Sequence, residues 1–91
     1  MARPIHADAT RTRERILEAA QRTFAHRGLQ GSTLRQIAEQ SGVTVALIHH
    51  YFGTKDRLHA ACHEAYAAEL RGLRERIERA IAGAASLDQA I

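Results

Sequence analysis

Histidine, arginine and lysine side chains recur through the stretch from Thr33 to Lys55, TLRQIAEQSGVTVALIHHYFGTK, and into the residues just after it. Metal ligation is the first chemistry to weigh. His49 and His50 are adjacent, so on a helix they point about 100° apart and cannot close on one ion. His59, Cys62 and His63 lie within one turn, and a histidine pair at i and i+4 can hold a metal. Only three ligand-type residues gather there, however, and Cys62 also belongs to an apolar stripe. The spacing therefore favours a core cysteine beside surface histidines, with no metal and no cofactor. No paired acids, activated nucleophile or glycine-rich cofactor loop supports an enzyme, so no catalytic residue is assigned. Gly28-Leu29-Gln30-Gly31-Ser32 has the look of a phosphate-cradling loop, but it lacks a preceding strand and a following Lys-Ser/Thr pair. It reads as a link between two helices at a steep angle.

The elements that must position these side chains are short. Thr33 can cap one helix, with Gln36 three residues on as its capping-box partner. Leu34, Ile37 and Ala38 give that helix an apolar face, and Ser41-Gly42 ends it, glycine tolerating the positive φ of a sharp exit. Thr44 can cap a second helix of about two turns that ends near Gly53. Two helices around a glycine turn form a helix-turn-helix. At 100° per residue, placing Ile48 at the buried centre brings Val45, Tyr51 and Phe52 to within about 60° of it. Ala46, Leu47, His49 and His50 then face outward. That face carries no carboxylate to repel phosphate. Its alanine and leucine can rest on thymine methyls, while its histidines can reach backbone or base edges. Arg35 suits a bidentate contact to guanine, or a phosphate.

The 91 residues make at most one small domain, and alanine, leucine, isoleucine, glutamate and arginine dominate it, so the class is all-α. A lone cysteine excludes an internal disulfide and fits a reducing, cytoplasmic setting. Neither a secretory signal nor a run of membrane-spanning length is present. The net charge of +3 is unevenly placed: residues 1–57 hold nine Lys/Arg against five acids, and residues 58–91 four Arg against five acids. The positive half contains the helix-turn-helix, as a face that docks phosphate requires.

In chain order, residues 1–9 read as a flexible arm and residues 10–53 as a three-helix, homeodomain-like bundle. The first helix is expected from about Thr10 to Arg27, with Ile16, Leu17, Ala20 and Phe24 at helical spacing and Gly28 in a left-handed cap. Asp8 or Thr10 can cap its start. Arg11, Arg13 and Arg15 crowd its first turns, where the macrodipole disfavours cations. They are read either as plain surface or as phosphate and minor-groove contacts. Residues 54–91 read as a long helix capped by Thr54. Leu58, Cys62, Tyr66, Leu70, Leu73, Ile77 and Ala80/Ile81 form a stripe along it that outruns any core this chain can build. Gly83 is expected to end that helix, with another starting at Ser86.

The segment from Arg11 to Leu58 resembles the DNA-binding domain of the tetracycline-repressor (TetR) family. The matching residues are ILEAAQRTF at 16–24, Gly28, STLRQIAEQSGV at 32–43 and LIHHYFGTKDRL at 47–58. The resemblance implies that Thr33 and Lys55 hold phosphates and that Arg35 contacts bases or backbone. It also implies that the helix from Thr44 to Tyr51 enters the major groove. The implied DNA-binding set is thus Thr33, Arg35, Thr44, Val45, Ala46, Leu47, His49, His50, Tyr51 and Lys55. It further implies a long fourth helix leading to a helical domain that lies beyond these residues, forms the homodimer and binds a small-molecule effector. The expected partner is double-stranded DNA, read as a palindrome by a ligand-released repressor. Two positions depart from the family pattern: His49 stands where tyrosine is frequent, and Ala46 where glycine is common. The competing reading is a protein–protein interaction module that uses the stripe of the last helix.

Overall fold

The computed structural model describes the backbone of residues 5–89 and the side chains of residues 8–85. Four helices follow one another: α1 (Ile5–Gly31), α2 (Leu34–Ser41), α3 (Val45–Phe52) and α4 (Lys55–Gln89), with no strand among the described residues. The core takes something from each. Ile16, Ala19, Ala20 and Phe24 come from α1, Ile37 and Ala38 from α2, Ile48 and Phe52 from α3, and Leu58 and Cys62 from the first two turns of α4. The helical spacing of those residues is what closes three helices and the root of a fourth around one apolar centre.

Two boundaries differ from the sequence expectation. α1 begins at Ile5, not Thr10, so residues 5–9 are helical; residues 1–4 of the expected arm lie outside the described residues. A proline restricts the residue before it and is well tolerated at the start of a helix, so Pro4 does not prevent one after it. Asp8 becomes a favourable first-turn acid instead of a cap. At the other end of the chain, α4 runs through Gly83 and Ser86 without a break. An interior glycine costs a helix only about 1 kcal/mol relative to alanine, and the alanines around Gly83 favour continuation.

The caps follow local chemistry. Gln36 N donates to Thr33 Oγ1 at 3.1 Å while Thr33 N donates to Gln36 Oε1 at 3.0 Å, a complete capping box on α2. Gly42 closes α2 in the left-handed conformation (φ 72°, ψ 28°). Thr44 Oγ1 accepts from Leu47 N, and Thr54 Oγ1 from Arg57 N, so α3 and α4 are capped in the same way. Gly28 breaks α1, but with φ 72° and ψ 173° it lies outside the left-handed helical region, in one essentially reserved for glycine.

Candidate nucleic-acid interface

The link between α1 and α2 is clasped from two sides. Ser32 is wholly buried, and its hydroxyl is within reach of two α1 carbonyls, Gly28 O at 2.6 Å and Thr23 O at 3.2 Å. From α4, Lys55 Nζ donates to Leu29 O at 2.8 Å and to Ser32 O at 3.1 Å. An ammonium has three donors, so one N–H of Lys55 is left for an outside anion. The steep turn after α1 thus holds α2 at a fixed angle with its N-terminus exposed at Thr33.

Two arginines of the first helix, read from sequence as surface or phosphate contacts, have internal work. Arg15 Nη2 donates to Ser41 O, satisfying a carbonyl at the open C-terminal end of α2. Arg13 lies over the Phe52 ring, 4.8 Å from its centroid, a cation–π contact at the last turn of α3. Both fix short helices that could not hold their orientation alone. Ser41, buried, back-bonds to Ile37 O at 2.7 Å. The contacts of Arg15 and Lys55 show in no local sequence pattern, because their partners Ser41 and Leu29 lie 26 residues away.

On this frame α3 presents two faces. Ile48 and Phe52 are buried, and Val45 and Tyr51 are half-buried against the core. Thr44, Ala46, His49 and His50 are exposed, and Leu47 is half-buried at the margin. The outer face therefore consists of Ala46, His49 and His50 with the edge of Leu47. Tyr51 stands edge-on to His50 with ring centroids 5.2 Å apart, which orients that imidazole. His49 Nδ1 lies 2.7 Å from Gly53 O. A carbonyl can only accept, so Nδ1 carries the proton, and Nε2 of the neutral ring is an acceptor. His49 in that state suits the amino group of a base better than a phosphate oxygen. Only the imidazolium can donate from Nε2.

Thr33 is exposed at the tip of α2. Arg35, two residues on, is 87% exposed and its Nε is 3.8 Å from Glu39 Oε1. An exposed pair at that distance holds the guanidinium weakly and leaves it free to engage another acceptor. The structure thus brings Thr33, Arg35, Lys55 and the outer face of α3 onto linked elements, and turns Val45 and Tyr51 partly inward.

The other cluster behaves as packing. His59 stands edge-on to Phe24 at 5.0 Å and to His63 at 4.4 Å between centroids. Burial pushes the Cys62 thiol from 9.0 up to about 11, so it stays protonated at neutral pH. Among the described residues no group of three His, Cys, Asp or Glu side chains is placed to hold a metal. No helix among them is long and apolar enough to cross a membrane.

The sequence model of the bacterial regulatory proteins of the tetR family matches residues 16–62. The HTH-type transcriptional regulator BetI of Brucella anthropi is 50% identical over 46 residues, which cover 50% of this chain and 24% of that protein. The HTH-type transcriptional repressor AcnR of Corynebacterium glutamicum is 39% identical over 61 residues, covering 67% of this chain and 32% of AcnR. Among solved structures, the hemolysin II transcriptional regulator HlyIIR superposes with a TM-score of 0.62 at 34% identity, over 64% of this chain and 32% of its own. The chain thus spans between about a quarter and a third of the length of these relatives. The matched segment begins at the first buried residue of α1, Ile16, and ends at the last of α4, Cys62, so it coincides with the packed head. This chain belongs to the tetR family of bacterial regulatory proteins.

Proposed function

We propose that the head binds double-stranded DNA sequence-specifically and serves a transcriptional regulator. The observation that carries this reading is the exposed, carboxylate-free outer face of α3, held on a capped frame with Arg35 and Lys55 beside it. An α-helix fits the major groove, where each base pair shows a distinct donor and acceptor pattern. α3 enters it, with Ala46 and Leu47 against thymine methyls and His49 and His50 at base or backbone edges. Thr44, Val45 and Tyr51 line the margins of the same helix. Thr33 and the free N–H of Lys55 take phosphates, which fix register, and Arg35 takes guanine or backbone.

The name of AcnR, a transcriptional repressor, supports a repressor. The finer mechanism is a homodimer, joined through a helical domain carried on the far end of α4, that reads a palindrome with two heads and lets go when an effector binds that domain. Two copies of α3 would then enter successive major grooves, about 34–36 Å apart. Salt-titrated binding to duplex DNA tests the reading. The affinity should fall steeply as salt rises, through release of counterions from the phosphates the head neutralises. No detectable binding at low salt would refute it. The exposed stripe of Tyr66, Leu70, Leu73, Ile77 and Ile81 favours a second reading, a protein-binding module, which that outcome would select.

A further inference from the structure

The groove between α1 and α2 holds a cationic cleft that the proposed contacts do not use. It has a volume of about 300 Å³ and is lined by Arg22, Thr23, His26, Arg27 and Gln40. No carboxylate lines it. Within the chain, Arg22, His26 and Arg27 make no hydrogen bond or ion pair among the described residues. Gln40 is exposed, and its amide adds two more N–H donors. The floor is made by Thr23, whose hydroxyl is already spent on Ala19 O at 2.9 Å. Every unspent charged group in the cleft is thus a cation, and the walls can offer donors to an anion.

The cleft also has a direction. Arg27 shares the adjoining depression with Gln36 and Glu39. Gln36 is bonded to the backbone of Thr33, so this depression leads to the exposed N-terminus of α2. Glu39 there is turned toward Arg35 at 3.8 Å. At its other end the groove continues past two carboxylates, Glu18 and Glu39, and past Arg15 toward Gly42. A polyanion strand that touches Thr33 reaches the unpaired Arg27 across the depression that Gln36 and Glu39 line.

We propose that Arg22, His26 and Arg27, with Gln40, form a second seat for a DNA backbone phosphate, outside the base pairs that α3 reads. This rests on the DNA-binding reading above and extends its footprint to flanking DNA. Planar guanidiniums suit phosphate oxygens through paired N–H donors. Arg27, the residue before the break at Gly28, also lies where the dipole of α1 favours a cation.

The test compares Arg22→Ala/Arg27→Ala with wild type and with Arg71→Ala/Arg79→Ala, a charge-matched change on the exposed outer part of α4. Binding is measured against salt on a duplex with long flanks and on one trimmed to the base-reading site, and helical content is checked by circular dichroism. The cleft variant should show a slope of log affinity against log salt shallower by about 1 to 2, as expected for the loss of one or two phosphate contacts. Its base preference should be unchanged. Trimming should bring wild type to the variant's slope and leave the variant where it was. Arg22→Lys/Arg27→Lys should keep the wild-type slope. A cleft variant that matches the α4 control on both duplexes overturns the seat while leaving the DNA reading intact. The seat is equally overturned if the variant only melts earlier with its slope unaltered, which would assign the arginines to the end of α1. A wild-type protein that binds neither duplex overturns the seat and the DNA reading together.

Discussion

At the residue scale, Lys55 and Arg35 separate two kinds of contact. Lys55 uses two of its donors on Leu29 O and Ser32 O and so both anchors the α1–α2 link and offers one donor outward. Arg35 is tied to the fold only by an exposed pair with Glu39. Arg35→Ala should therefore relax base preference with little effect on stability, whereas Lys55→Ala should weaken binding to all sequences alike and lower the melting temperature. Binding to a panel of point-substituted duplexes, together with thermal melts, checks both; equal profiles would contradict the division. Cys62 gives a second prediction at this scale. Its folded pKa, raised to about 11 from 9.0, favours the protonated thiol in the fold. Its contribution is fully present below pH 9 and is lost as pH rises through 11, because the unfolded chain ionises first. Denaturant midpoints followed from pH 8 to 11 should fall over that window, and Cys62→Ala should flatten this part of the profile. The outward setting of Ala46, His49 and His50 was legible from the 100° rule, since Ile48 defines the buried centre, whereas Leu47, expected among them, is half-buried. The tautomer of His49 was not legible, because its partner Gly53 O acquires its position only when α3 ends there.

At the scale of elements, chemistry within four residues proved readable. The capping box of Thr33 and Gln36, the Thr44 and Thr54 caps and the Gly42 turn all follow from side chains meeting nearby backbone. The ends of the long helices were less legible. α1 starts before Thr10 and α4 passes Gly83, because a helix stops only where a competing conformation is better, and neither site supplies one. Contacts across 26 residues, from Arg15 to Ser41 and from Lys55 to Leu29, have no local signature at all. Gly28 makes the sharpest prediction here. A Cβ there would meet nothing within 4 Å, so any cost of Gly28→Ala comes from the backbone, not from collision. With φ 72° and ψ 173° that cost should be about 1–3 kcal/mol. Chemical denaturation measures it, and a variant as stable as wild type would show that the link can be rebuilt another way. Thr33→Ala should cost about 1 kcal/mol through the lost cap.

At the scale of the whole molecule, α4 sets the shape. The Cα extents are 60 × 42 × 17 Å, and the longest comes from a helix that leaves the packed head after Cys62. Tyr66, Leu70, Leu73, Ile77 and Ile81 are 44–66% exposed along it. An uninterrupted helix is stiff, so in the mechanism proposed above a shift at its far end would move the head as a rigid body. That is the kind of two-state element on which an effector and DNA can act against each other. In the dimer proposed above, a second half-site would raise the effective concentration, so a linked pair of heads should bind far more tightly than one head. The central claim remains that the outer face of α3 reads bases. Selection of bound sequences from a random duplex pool tests it most directly, run in parallel with wild type and His50→Ala. Wild type should enrich one sequence, and His50→Ala should change the preference at one or two positions of it. A pool that emerges unenriched, or an identical enriched sequence for both proteins, would contradict that claim.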